Sequence, residues 1–125
     1  TAAFNLEIVV DGISSGYSYS VSEDAAGTFT NSAATAQSQF VIMDSTLIST
    51  DTLRAMGSIS FLPAEQNEGA DMCNLLFQGG VNTAGNAWGC GNVAATLASF
   101  GSITIQTSTS SWTVHSRFNL MGRRK

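Results

Sequence analysis

Cys73 and Cys90 are the only cysteines in this 125-residue chain, and His115 is its single histidine. Sixteen residues separate the two thiols, a spacing that fits neither a zinc-binding pair nor a redox motif with two intervening residues. A structural zinc needs four thiolate or imidazole ligands, and one histidine does not complete the set. A nucleophilic thiol needs a base held in place by a third group. His115 falls in a strand pattern, on the face opposite Trp112 and Phe118. Cys73 and Cys90 therefore read as a disulfide that closes the glycine-rich stretch between them. In the chain-entropy account such a closure contributes roughly 3 kcal/mol. It also implies an oxidising compartment.

Carboxylates are the next candidates. Glu65, Glu68 and Asp71 recur at every third position, so a helix would align them along one face. Their neighbours Gln66, Asn67 and Gly69 suit a solvated loop instead. An oxygen-rich loop also suits calcium, although the ligand order of a calcium-binding loop is missing. Glu23 and Asp24, in SEDAAGT, receive the same solvated reading. No serine sits in a nucleophile motif, and the chain has no phosphate-binding loop and no dinucleotide fingerprint. The chain is not expected to be an enzyme, and calcium is the one cofactor its residues suggest.

Among the aromatic residues, Tyr17, Tyr19 and Trp112 fall on the apolar faces of strand-like segments and read as core. Trp88 stands apart in GNAWGCG, among small residues with no alternating frame. An exposed tryptophan in a stapled loop is a recognition hot spot, suited to stacking on a sugar ring. A Trp88 folded back over the disulfide as a lid is the competing reading.

The segments that must position these residues mostly have the period of strands. In FNLEIVVDGISSGYSYSV, Phe4, Leu6, Ile8 and Val10 alternate with other residues up to Asp11-Gly12. Asp-Gly suits a type I′ turn, whose two central residues need positive φ. The expected hairpin pairs Val10 with Ile13, Ile8 with Ser15, Leu6 with Tyr17 and Phe4 with Tyr19. SQFVIM, RAMGSISFL and SITIQ read as further strands, and SITIQ is expected to form a closing hairpin with SWTVHSRFNLM. SEDAAGTFTNSAATAQ reads as a polar connection with at most a short strand near Phe29, and GGVNTAGNAWGCG as a flexible loop. LPAEQNEGADMCNLLF and NVAATLASFG read as short helices, the second capped by Asn92 and stopped by Gly101. The expected fold is mainly β, an antiparallel β-sandwich or jelly-roll-like domain with at most one or two short helices. It is a single domain over residues 1–125, with a short basic tail at 122–125.

Charge narrows the function classes. Charged residues make up 11% of the chain, against about 25% in an average soluble domain, so small hydroxyl residues must cover much of the surface. Nine acids face Arg54 and Arg117 until the chain reaches Arg123, Arg124 and Lys125, for a net charge of −4. An acidic body argues against nucleic acid, which needs a basic stripe. No apolar run approaches the roughly 20 residues of a membrane-spanning helix. The basic tail is expected to dock on the acidic face of a neighbouring copy. The chain is thus expected to be an extracellular structural subunit that self-assembles with copies of itself into a filament, pilus or shell through strand-mediated contacts. The alternative is a secreted, lectin-like carbohydrate-binding module that grips glycan with the Trp88 loop.

Overall fold

The computed structural model describes residues 3–45, 47–48, 55–63, 72–82, 84–94 and 102–109, with 117, 119 and 121 as single positions. Eight strands run in chain order: β1 (Leu6–Val10), β2 (Tyr17–Ala25), β3 (Thr28–Gln37), β4 (Phe40–Met43), β5 (Ala55–Pro63), β6 (Met72–Val81), β7 (Gly85–Ala94) and β8 (Ile103–Thr107). They form two antiparallel sheets that pack as a sandwich, β4-β1-β8 and β3-β2-β7-β6-β5. The described residues include no helix, and none long and apolar enough to cross a membrane.

Alternation explains which side of each strand faces the core. Ile8 and Val10 on β1, Tyr17 and Val21 on β2, and Leu75 and Phe77 on β6 are all buried. Phe40 lies at the meeting of the sheets. Its ring stands edge-on to Tyr17 at 4.8 Å, with an interplanar angle of 86°, and reaches Tyr19 at 6.5 Å. Edge-to-face pairs of this kind add attraction beyond the area they bury. The core assignments of Tyr17 and Tyr19 follow the alternation; Trp112 lies outside the described residues.

The Asp11-Gly12 turn forms, but not the hairpin expected from it. Both residues have positive φ, 49° and 69°, and the Ile13 amide donates to the Val10 carbonyl at 2.9 Å. Yet β1 lies between β4 and β8, which occupy both of its edges. The chain continues past Gly16, at φ 84°, and enters the other sheet as β2. Turn chemistry constrains a reversal of direction; it does not choose which strand takes the edge.

Segments expected as irregular or helical contribute strands where they are described. SEDAAGTFTNSAATAQ forms most of the long β2–β3 hairpin, reversed at Ala26-Gly27, whose φ values are 52° and 86°. In LPAEQNEGADMCNLLF, Leu62 and Pro63 end β5 and Met72–Phe77 begin β6, while 64–71 lie outside the described residues. In NVAATLASFG, Asn92 and Val93 continue β7 and pair with Asn74 and Cys73, so Asn92 sits within a strand rather than at a helix cap, while 95–101, with Gly101, lie outside the described residues. The partner of SITIQ in the expected closing hairpin falls largely outside the described residues.

Glycine hides the period of β7 in the sequence. Gly85, Ala87, Gly89, Gly91 and Val93 alternate along it. A Cβ on Gly89 would come within 2.7 Å of the Phe77 ring and 2.3 Å of the Ser20 carbonyl oxygen. One on Gly91 would come within 2.5 Å of the Phe40 ring. These glycines are sites where aromatic rings and neighbouring backbone approach the strand closely.

Candidate ligand platform on the five-stranded sheet

Register places a set of polar and aromatic side chains on the outer face of the larger sheet. One row runs Ser58, Gln78, Trp88, Ser22 and Asn31 from β5 across to β3. The next runs Ser60, Leu76, Cys90, Ser20 and Ala33. A period of two puts both rows on the side opposite Phe77, Ala87 and Val21, which are buried. The face holds a shallow trough of about 730 Å³.

Trp88 is the main feature of this trough. It stands on β7 opposite Ser22 and Gln78, rather than in a loop, and is 41% exposed. Phe29 on β3, 57% exposed, lies beside it, with ring centroids 5.3 Å apart and planes tilted by 49°. Trp88 therefore folds over no disulfide; it forms part of an open sheet surface.

The expected bridge between Cys73 and Cys90 is not formed. In the β6–β7 ladder Cys90 is opposite Leu76 and Cys73 is opposite Val93. Three residues of offset correspond to about 10 Å along a strand, beyond the roughly 7 Å between Cα atoms that a bridge can span. Cys90 carries a free, exposed thiol. Backbone hydrogen bonds of the ladder hold this stretch, in place of a staple.

Polar groups around Trp88 are partly committed. The Ser22 hydroxyl donates to Asn31 Oδ1 at 2.6 Å, which leaves the Asn31 amide N–H groups as donors. Asp24, the acid nearest the trough in sequence register, accepts the Gly27 amide at 2.9 Å. Neither of the two rows contains a charged residue.

Compared with models of known families, with curated proteins and with solved structures, the chain matches none.

The other sites expected from sequence divide in two. Glu65, Glu68 and Asp71, suggested for calcium, lie outside the described residues, as do His115, Arg123, Arg124 and Lys125. Among the described residues no group of three His, Cys, Asp or Glu side chains could hold a metal ion. Glu23, read as solvated, is in fact buried, at 4% exposure. Its carboxylate accepts the Asp44 amide at 2.9 Å. Burial raises its pKa above the ordinary value, the Asp44 charge adds to the rise, and the Asp44 amide hydrogen bond opposes it. Burial raises Tyr19 as well, with a further contribution from the charge of Glu7. Glu7 is itself buried and accepts a hydrogen bond from Gln106 Nε2 at 3.0 Å.

Two signals for the platform were present in the sequence. Small residues at alternate positions from Gly85 to Gly91 mark a strand, and that period sends Trp88 and Cys90 to the opposite face. Phe29 carried no such signal, because its strand has no buried face against which alternation would show.

Proposed function

We propose that this protein is a structural subunit that self-assembles outside the cytoplasm, and that its assembling surface is the free edge of β3. One observation carries this reading. Thr28–Gln37 is a ten-residue strand without a charged residue or proline, and nine of its positions are exposed. It is the end strand of its sheet, with no other described strand on its far side. Edge strands of proteins that stay monomeric are typically short, charged or interrupted by proline, because unpaired N–H and C=O groups recruit another strand. The protection on β3 is slight: a bulge between its pairings with Tyr17 and Tyr19, where Ala36 has φ 55°.

The N-terminal strand is the poorer candidate for exchange between copies, since β1 sits between two partners. Antiparallel pairing of β3 with β3 of a second copy is isologous and joins two five-stranded sheets into one. Low charge and abundant hydroxyl residues support a setting outside the cytoplasm. Docking of Arg123, Arg124 and Lys125 on a neighbouring acidic body would add a salt-sensitive contact.

Size-exclusion chromatography with light scattering, at low and high salt, tests the reading, followed by electron microscopy of the particles. The expected result is a dimer through β3 whose mass depends on protein concentration, with larger regular particles where the tail contact adds a second interface. A two-fold pairing centred on the strand midpoint sets Ser32 of one copy against Ala33 of the next. The double variant Ser32→Lys/Ala33→Lys places like charges across that seam, and is expected to be monomeric. A wild-type protein that remains a 13.0 kDa monomer at every concentration and salt overturns the proposal.

A further inference from the structure

We infer that the trough on the outer face of the five-stranded sheet binds a neutral oligosaccharide, with the Trp88 ring as its platform. This site goes beyond assembly through β3, which uses the rim of the sheet and leaves the face open. Three properties of the trough select this ligand class.

Charge is the first. Across the two rows from Ser58 to Asn31 and from Ser60 to Ala33 there is no ionisable group other than the Cys90 thiol. Asp24, in the following row, is engaged by the Gly27 amide. A phosphate, sulfate or carboxylate group on a ligand would lose water here without gaining a counter-charge. A neutral ligand meets no such penalty.

Shape and polarity are the second. The tilted pair formed by Trp88 and Phe29 offers aromatic faces with negative π density, against which the slightly positive C–H face of a pyranose ring can lie. Gln78 and Ser22 flank Trp88 on the adjacent strands, Asn86 stands one row away, and Ser58 and Ser60 lie on β5. The amides supply donors and acceptors side by side, as sugar hydroxyls require. A volume of about 730 Å³ is in the range of ligand sites, roughly 300–1,000 Å³. Because the trough is open rather than enclosed, it suits a chain that runs across the sheet.

The third property weighs against the main rival occupant, the same face of a second copy. Face-to-face sheet packing would bury Gln78, Asn86, Ser58 and Ser60 together with Trp88. Polar side chains buried without partners are costly, and another copy would present the same mixture of groups. Sugar hydroxyls reach into such a surface and satisfy it.

The test is isothermal titration of the full chain with five neutral hexasaccharides, built from glucose, mannose, galactose, xylose and N-acetylglucosamine. A hexasaccharide of galacturonic acid serves as the charged control. Saturable binding of at least one neutral sugar is expected, with the charged control weaker. Trp88→Ala, with its fold checked by circular dichroism, is expected to lose about 30-fold or more in affinity, the scale of a truncated aromatic hot spot. Gln78→Ala, at an exposed position, is expected to lose roughly fivefold, and keeps the test valid if the tryptophan variant misfolds. The inference is overturned if no neutral sugar binds, if the charged one binds more tightly, or if folded Trp88→Ala or Gln78→Ala binds as well as the wild type.

Discussion

The Tyr17 hydroxyl accepts a hydrogen bond from the Val10 amide at 2.9 Å, tying the start of β2 in one sheet to the end of β1 in the other. The same hydroxyl lies 3.0 Å from the Ile13 carbonyl oxygen and 3.3 Å from that of Val10. Asp11 holds the other side of the corner, its amide donating to the Ser102 carbonyl at 2.9 Å. A single buried phenol thus fastens the crossing that a local hairpin would have made unnecessary.

Replacing that phenol removes the fastening and keeps the ring. Tyr17→Phe is expected to destabilise the fold by about 1–3 kcal/mol, the usual cost of leaving a buried donor such as the Val10 N–H without its acceptor. Urea unfolding reads the change directly. An unchanged midpoint would mean that the corner is held by the Asp11 turn alone.

The close approach at β7 carries a second expectation. Gly91→Ala places a methyl 2.5 Å from the Phe40 ring and 2.8 Å from the Ser18 carbonyl oxygen. Phe40 is fully buried against Tyr17 and has little room to retreat. A loss of about 1–3 kcal/mol is expected, as for other overpacked interiors. Thermal unfolding of the variant checks it, and equal or greater stability would contradict this packing.

Glu23 makes stability depend on pH. Its folded pKa is raised, chiefly by burial, so between the unfolded and the folded value the native state binds more protons than the unfolded chain. Stability from this group is therefore fully present below the ordinary carboxylate range and is lost as pH rises through the folded pKa. Glu23→Gln keeps an acceptor for the Asp44 amide and removes the charge. It is expected to raise the melting temperature at pH 7 and to leave it nearly unchanged at pH 3. Melting curves across this range decide the matter; a variant less stable at pH 7 would show that the carboxylate's hydrogen bond outweighs its burial.

How much was legible in the sequence differs from element to element. Ile8 and Val10 mark their strand because alternation survives wherever one face is buried; SITIQ marks its own for the same reason, and SQFVIM by a short apolar run. β3 is not legible because TFTNSAATAQ is exposed on nearly every side, so no contrast of burial marks its period. The glycines of β7 read as looseness because glycine has no side chain to reveal what packs over it. Trp88 is unusual in the sequence, but its setting is not legible there. Its place in a strand depends on Gly89 and Gly91 serving as seats for Phe77 and Phe40, rings distant in sequence.

By itself the sequence determined a mainly β sandwich, the turn at Asp11-Gly12, the inward set of Phe4 to Val10 and the scarcity of charge. These follow from local dihedral preferences and from the period of two. Tertiary structure alone decided that β1 joins β4 and β8 instead of β2, that Cys73 and Cys90 stand three positions apart on neighbouring strands, and that Trp88 and Phe29 meet on one face. Each of these is a choice of partner among distant segments, such as Val10 with Ile103. Local patterns do not encode it, because a strand edge accepts any backbone; the competition is settled by how all the side chains pack at once.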